Sequence, residues 1–220
     1  MSHPVTDTQT EATNSLALLL KQGTQDLHDQ AESGPFQQRM VNGKLLREEY
    51  VAFLQQVLHV HRAVEPLFRD GASREPRFAD MLHENHFRVS KIEKDLVDLG
   101  AGPTESVLPS TQRFIDSVGE ASKTDPLSLI GVLYVKEGAT NGNKIVAKRI
   151  REGLGLDESV AMGYMDPHGT DQRRLWRTFK DGLNSLEMSE DEQGRCLNAA
   201  RDTFRLFMDL SAELAVTFPR

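Results

Sequence analysis

Cysteine is almost missing from this chain: Cys196 is the only one in 220 residues. That excludes an intramolecular disulfide framework and makes a reducing compartment, the cytoplasm, the expectation. Basic side chains number 26 against 33 acidic ones, for a net charge of −7, so nothing draws the whole chain to nucleic acid. No apolar run approaches the length of a membrane span. The N-terminal residues lack the basic start and apolar stretch of a secretory signal. No segment alternates apolar and polar residues with the period of a strand, and there is no internal repeat or low-complexity region. Glu-x-x-His, the signature of carboxylate di-iron sites in helical bundles, is also absent.

What is present is helical periodicity. Residues 1–14 are rich in Thr, Ser, Gln and Glu and read as a mobile tail. A first helix is expected from Ser15 to about Glu32, stopped by Ser33-Gly34-Pro35. A second should run from about Arg47 to Arg69, kinked or broken at Pro66, with Gly71-Ala72-Ser73 as a turn. A third is expected from Pro76 to Leu99 and a short one from Ser110 to Ala121. Asp125-Pro126 then opens a long helix that reaches about Arg151 and ends near Gly153-Leu154-Gly155. Residues 163–169 read as a loop. Two last helices are expected over Thr170–Leu186 and Ser189–Thr217, the latter with Ser189 and Glu192 as a capping box. The expectation is an all-α fold of some seven helices, residues 15–220 forming one domain.

Two stretches stand out against this background. The first is Gly138-Ala139-Thr140-Asn141-Gly142-Asn143, inside the long helix, where each glycine costs about 1 kcal/mol relative to alanine. Gly138 and Gly142 share one helix face, which leaves a flat strip of backbone for another helix or a flat ligand. The second is in the first helix, where Lys21, Gln25, His28 and Glu32 form one stripe beside the apolar face of Leu20, Leu27 and Ala31. A histidine there can hold haem iron through Nε2, with Glu32 accepting from Nδ1–H and fixing the tautomer. Lys21 lies two turns earlier, about 10 Å along the axis, within reach of a propionate. Taken singly, such a histidine is more often a satisfied surface or core residue, and Gly-x-x-x-Gly more often marks close helix packing.

Both stretches resemble the haem oxygenase family. Leu27-His28-Asp29-Gln30-Ala31-Glu32-Ser33, preceded by Leu20-Lys21-Gln22-Gly23-Thr24, is similar to the family's proximal-helix signature. Tyr134-Val135-Lys136-Glu137-Gly138-Ala139-Thr140-Asn141-Gly142 resembles its distal helix in the bacterial form. Leu183-Asn184-Ser185-Leu186-Glu187-Met188 resembles the segment after its last propionate-binding residues. The three occur in family order over about Leu18 to Met208.

The resemblance implies a haem held between a proximal helix and a kinked distal helix, as cofactor and substrate at once. His28 would be the iron ligand and the Gly138–Gly142 face the open distal wall, where dioxygen binds. Lys21 and Lys180 match positions that pair with propionates, and Arg177 and Tyr134 are further candidates. The implied reaction is oxidative ring opening to biliverdin, carbon monoxide and ferrous iron, with electrons from a ferredoxin or flavoprotein reductase and with a biliverdin acceptor downstream. A monomer is expected. The chain departs from the family in two places. Ala139 stands where many members carry an aspartate that organises distal water, and Asn143 where a glycine usually follows. Asn141 and Asn143 are candidate substitutes for organising water. The alternative is a protein of the same fold that holds haem for sensing, storage or delivery.

Other signals read as structural. His83 and His86 are expected on a solvated helix face, His59 and His61 on different sides of a helix, and Cys196 in the packing. Gly138 to Lys144 lacks the spacing and the Ser/Thr of a phosphate loop. Lys144, Lys148, Arg149 and Arg151, with Arg173, Arg174, Arg177 and Lys180, form either exposed helix faces or a positive rim for an acidic electron donor.

Overall fold

The computed structural model describes residues 15–157 and 160–219; the expected tail, 1–14, lies outside them. Among the described residues there is no strand. The helices are α1 (Leu16–Ser33), α2 (Pro35–Val41), α3 (Arg47–Arg74), α4 (Pro76–Met81), α5 (Val89–Asp98), α6 (Pro109–Thr124), α7 (Leu129–Leu154), α8 (Gln172–Ser185) and α9 (Glu190–Thr217). No helix of the described residues is long and apolar enough to cross a membrane.

Most ends obey local chemistry. The Ser15 side chain accepts from the Leu18 N–H at the start of α1. Ser189 and Glu192 form the expected box at the start of α9, and Gly155 closes α7 in the left-handed conformation (φ 62°), where glycine carries no Cβ penalty.

Three expectations are corrected. Ser33-Gly34-Pro35 ends one helix but starts another, because a proline at the first helical position loses only a hydrogen bond that a helix start never makes; α2 is the result. The second helix neither breaks at Pro66 nor turns at Gly71. It continues to Arg74, with Pro66 on its exposed side, where water can satisfy the carbonyl that proline leaves unpaired. Gly71 is there for packing: a Cβ would lie 2.7 Å from Leu129 Cδ1. The third helix is interrupted between Met81 and Val89, where only a single tight turn, Glu84–His86, forms. The backbone N–H groups of Arg88 and Val89 instead donate to Glu65 Oε1 at 2.6 and 3.2 Å. A carboxylate on α3 thus caps α5, and the interruption turns His86 and Arg88 inward, leaving them 4 % and 2 % exposed. The expected solvated face holds only for His83.

The core has two parts. Leu20, Phe68, Phe78, Leu133 and Ala200 belong to one, and Tyr50, Leu54, Ile92, Ala147 and Leu210 to the other. Helices α3, α7 and α9 run through both, and Phe207 packs against both. α7 meets α9 backbone to backbone at Gly131, where a Cβ would overlap Cys196 O and Ala200 N. Cys196 is buried as expected; its thiol donates to Leu127 O at 3.1 Å, and burial pushes its pKa up to about 12.

Candidate functional site

Helix α7 changes character at Gly138. From Leu129 to Val135 every residue is buried; from Ala139 on, Ala139, Asn141, Gly142, Lys144 and Ile145 are exposed. A Cβ on Gly138 would touch only Trp176, at 3.5 Å, and one on Gly142 would meet nothing within 4 Å. The side-chain-free strip therefore borders open space. Helix packing, the commoner use of such a pair, is not its role at Gly142.

Beside this strip a cleft of about 880 Å³, counted to its open mouth, is lined by Ala31, Met40, Phe53, Ala139, Asn143, Phe204 and Phe207, among others. The lining is mainly apolar and aromatic, which suits a flat hydrophobic ligand. Of the two asparagines, Asn143 lines the cleft. Asn141 does not: its Nδ2 donates to Gly138 O at 2.9 Å and its Oδ1 accepts from Gln172 at 3.2 Å.

α1 passes the cleft with Ala31 in its lining and His28 outside it. The His28 side chain is 52 % exposed, and its ring stands edge-on to Phe204, 6.0 Å between centroids. The expected hydrogen bond from Nδ1 to Glu32 is not formed. Nδ1 is 3.7 Å from Asp29 Oδ1, and it is Nε2 that lies nearest Glu32, 3.8 Å from Oε1; both are too long for hydrogen bonds. Short exposed side chains on a helix surface have nothing to hold them in one rotamer. α1 itself is held firmly. Arg201 on α9 clamps Asp26 with two bonds of 2.9 Å and also takes the Gly23 carbonyl.

At the other end of the helix, Asn184 on α8 accepts the Ala17 N–H at 3.1 Å. Lys21 and Lys180 each lie four residues from that bond, so one turn of either helix, about 6 Å of rise, separates them from it. Lys21, Arg177 and Lys180 are all exposed. Lys180 Nζ sits 6.0 Å from the Trp176 ring centroid. Tyr134 is buried against Trp176 (5.7 Å), and its hydroxyl meets Thr24. It ties α1 to α7 from inside.

Arg88 and Lys136 line the cleft, and both pair with the buried Glu137, which does not line it. Glu137 lies beneath the glycine strip with its side chain 6 % exposed. It accepts from Arg88 Nη2 at 3.0 and 3.1 Å and from Lys136 Nζ at 2.6 Å, and its Oε2 is 3.0 Å from His168 Nε2. Burial raises the Glu137 carboxyl, yet Lys136, His168 and Arg88 together hold it below the usual carboxylate range. Burial lowers Lys136 to about 8, His61 to about 4 and His86 to about 3.

The loop 163–169 completes this wall. Asp95 accepts the Gly163 and Tyr164 N–H groups at 2.8 Å each, and Lys91 holds the Pro167 carbonyl at 2.6 Å. Arg88, Glu137, Tyr164 and His168 were not expected as site residues. One signal could have found one of them: Glu137, with Lys136 before it, interrupts an otherwise apolar half-helix.

Comparison with known proteins places the sequence and the fold. Residues 14–213 match the family model described as Heme oxygenase. A curated relative, Heme oxygenase 1 of Pongo abelii, is 26 % identical over 207 residues, covering 90 % of this chain and 71 % of that protein. The heme oxygenase of Leptospira interrogans superposes with a TM-score of 0.84 at 22 % identity, over 90 % of this chain and 99 % of that one. Heme oxygenase-2 from Synechocystis, solved in complex with heme and NO, gives 0.84 at 23 % identity, over 93 % and 86 %. A multi-helix fold shared along nearly its whole length and a family match over most of its sequence lead to one conclusion: this chain belongs to the haem oxygenase family.

Proposed function

We propose that the chain binds haem between α1 and α7 through His28 and opens its ring oxidatively to biliverdin, carbon monoxide and ferrous iron. One observation carries this reading. α1 and α7 line one apolar cleft through Ala31, Ala139 and Asn143; the half-exposed His28 ring stands against Phe204 of that lining, and the side-chain-free Gly138 and Gly142 are the chain neighbours of Ala139 and Asn143. The donor set fits: an imidazole for iron, aromatic rings for the macrocycle, and three exposed cations for two carboxylates.

Bound haem supplies the redox-active iron and is itself the substrate, with dioxygen as oxidant and an external ferredoxin or flavoprotein as electron donor. The residues do the rest. His28 Nε2 would hold the iron, with Glu32 or Asp29 accepting a hydrogen bond from Nδ1–H once the ring is fixed. Gly138 and Gly142 let backbone approach the ring plane without a competing side chain. Lys21, Lys180 and Arg177 anchor the acidic edge; Lys180 does so as a point charge rather than a bidentate fork. Phe204 and Phe207 exclude water. The lone buried Cys196 suits a reducing cytoplasm, and we propose a monomer.

The second reading, a haem carrier or sensor with little turnover, is favoured by Ala139, which lines the cleft but carries no polar group. Adding haemin, a reductase system and oxygen separates the two. Loss of the Soret band with appearance of a bilin supports the enzyme. A stable oxygenated spectrum without bilin supports the carrier, and no Soret shift on adding haemin sinks both.

A further inference from the structure

Lys136 has hydrogen-bonding capacity left over. An ammonium carries three hydrogens. Two are committed, one to His86 O and one to Glu137 Oε1, at 2.5 and 2.6 Å. The side chain is 13 % exposed and lines the cleft next to Ala139 and Thr140. Two neighbouring polar groups are engaged elsewhere. Arg88 is bound by Glu137, Asn85 O and Phe87 O, and Thr140 Oγ1 donates to Glu137 O at 2.6 Å. We propose, resting on the haem reading above, that Lys136 is the charged hydrogen-bond donor of the distal wall, aimed at the ligand side of the haem and positioned by Glu137 and the His86 carbonyl.

The surroundings single out this group. Glu65 and His61 face it from α3, His86 and Arg88 from the segment before α5, Glu137 from its own helix, and Tyr164 and His168 from the loop that closes the wall. Between pH 7 and 10 His61 and His86 stay neutral, Glu137 stays ionised and burial keeps the Tyr164 phenol protonated. Lys136, brought to about 8, changes charge within that range. An ammonium in a low-dielectric wall acts strongly on a polar ligand, and as a weak acid it donates a hydrogen bond without readily giving up its proton.

The C–O stretching frequency of the ferrous carbon monoxide complex tests this, because carbon monoxide does not titrate and a nearby positive charge lowers its frequency. The full chain, loaded with haem and reduced under carbon monoxide, is followed by infrared from pH 6 to 10. The wild type should show a one-proton rise in frequency centred near pH 8. Lys136→Met should sit at the high value at every pH and Lys136→Arg at the low one, both without the transition. A flat wild-type profile, or a transition that survives in Lys136→Met, overturns the assignment. If Lys136→Met fails to fold, the wild-type and Lys136→Arg profiles decide alone. Failure of the wild type to bind haem overturns the underlying reading as well; normal haem binding with a flat profile overturns only the role of Lys136.

Discussion

Gly131 and Gly142 lie on the same helix and do opposite things. Gly131 belongs to the buried half of α7 and exists so that α9 can touch its backbone. Gly142 belongs to the exposed half and touches nothing. The first is architecture; the second is stability left unrealised, since alanine there would favour the helix. The same division runs through the rest of the site. The buried half ends in Lys136 and Glu137, locked into a network, whereas a side chain at Gly142 would meet nothing and the nearest carboxylates to the His28 ring stand 3.7 and 3.8 Å away. One wall of the cleft is finished by its own ion pairs, and the other is open.

Several experiments bear on that division. Glu137→Ala would strip the partner from Arg88 and Lys136 and should cost about 3–5 kcal/mol, read as a fall in urea midpoint. A loss under 1 kcal/mol would mean that the network does not hold this wall. Acid should act on the same half. The folded chain keeps His61 and His86 neutral down to about 4 and about 3, while the unfolded chain takes up protons below about 6.5. Stability is therefore full above that value and declines as the pH falls, by on the order of 2 kcal/mol per imidazole at pH 5. A melting curve between pH 7 and 4 should show this, with a shallower slope in His86→Gln.

Gly131→Ala meets backbone that cannot step aside and should destabilise by about 1–3 kcal/mol. Gly142→Ala should stabilise by up to about 1 kcal/mol. Thermal melts that failed to split these two by sign would erase the distinction between the halves. Gly142→Leu should also keep the fold but weaken haem binding at least about tenfold, the equivalent of one lost contact of about 1.4 kcal/mol. Smallest in stability is His28→Ala, expected within about 0.5 kcal/mol of wild type, although bilin formation should disappear. Unchanged bilin formation would sink the proximal assignment.

What could be read from the sequence follows the same line. The glycine strip, His28 and the exposed cations depend on local spacing along single helices, and spacing is visible in a sequence. The capping box at Ser189 and the stop at Gly155 are local too. The misread places depend on partners far away in the chain. Nothing near Arg88 announces that Glu65, on another helix, will take its N–H and start a new helix there. Nor does loop 163–169 reveal that Asp95 will pin it and carry Tyr164 and His168 inside. Pro66 was misjudged because its cost depends on which side of α3 meets water. Asn141 was overvalued because Gln172, on α8, claims its carbonyl.

The thiol of Cys196 has a use that concerns neither haem nor oxygen. It sits where α7 and α9 touch at Gly131, protonated and donating to Leu127 O. A thiol in that state does not react with alkylating reagents until the helices part. With no other cysteine in the chain, one labelling curve is an internal clock for the opening of that junction. Its rate measures how often the finished half of the molecule comes undone.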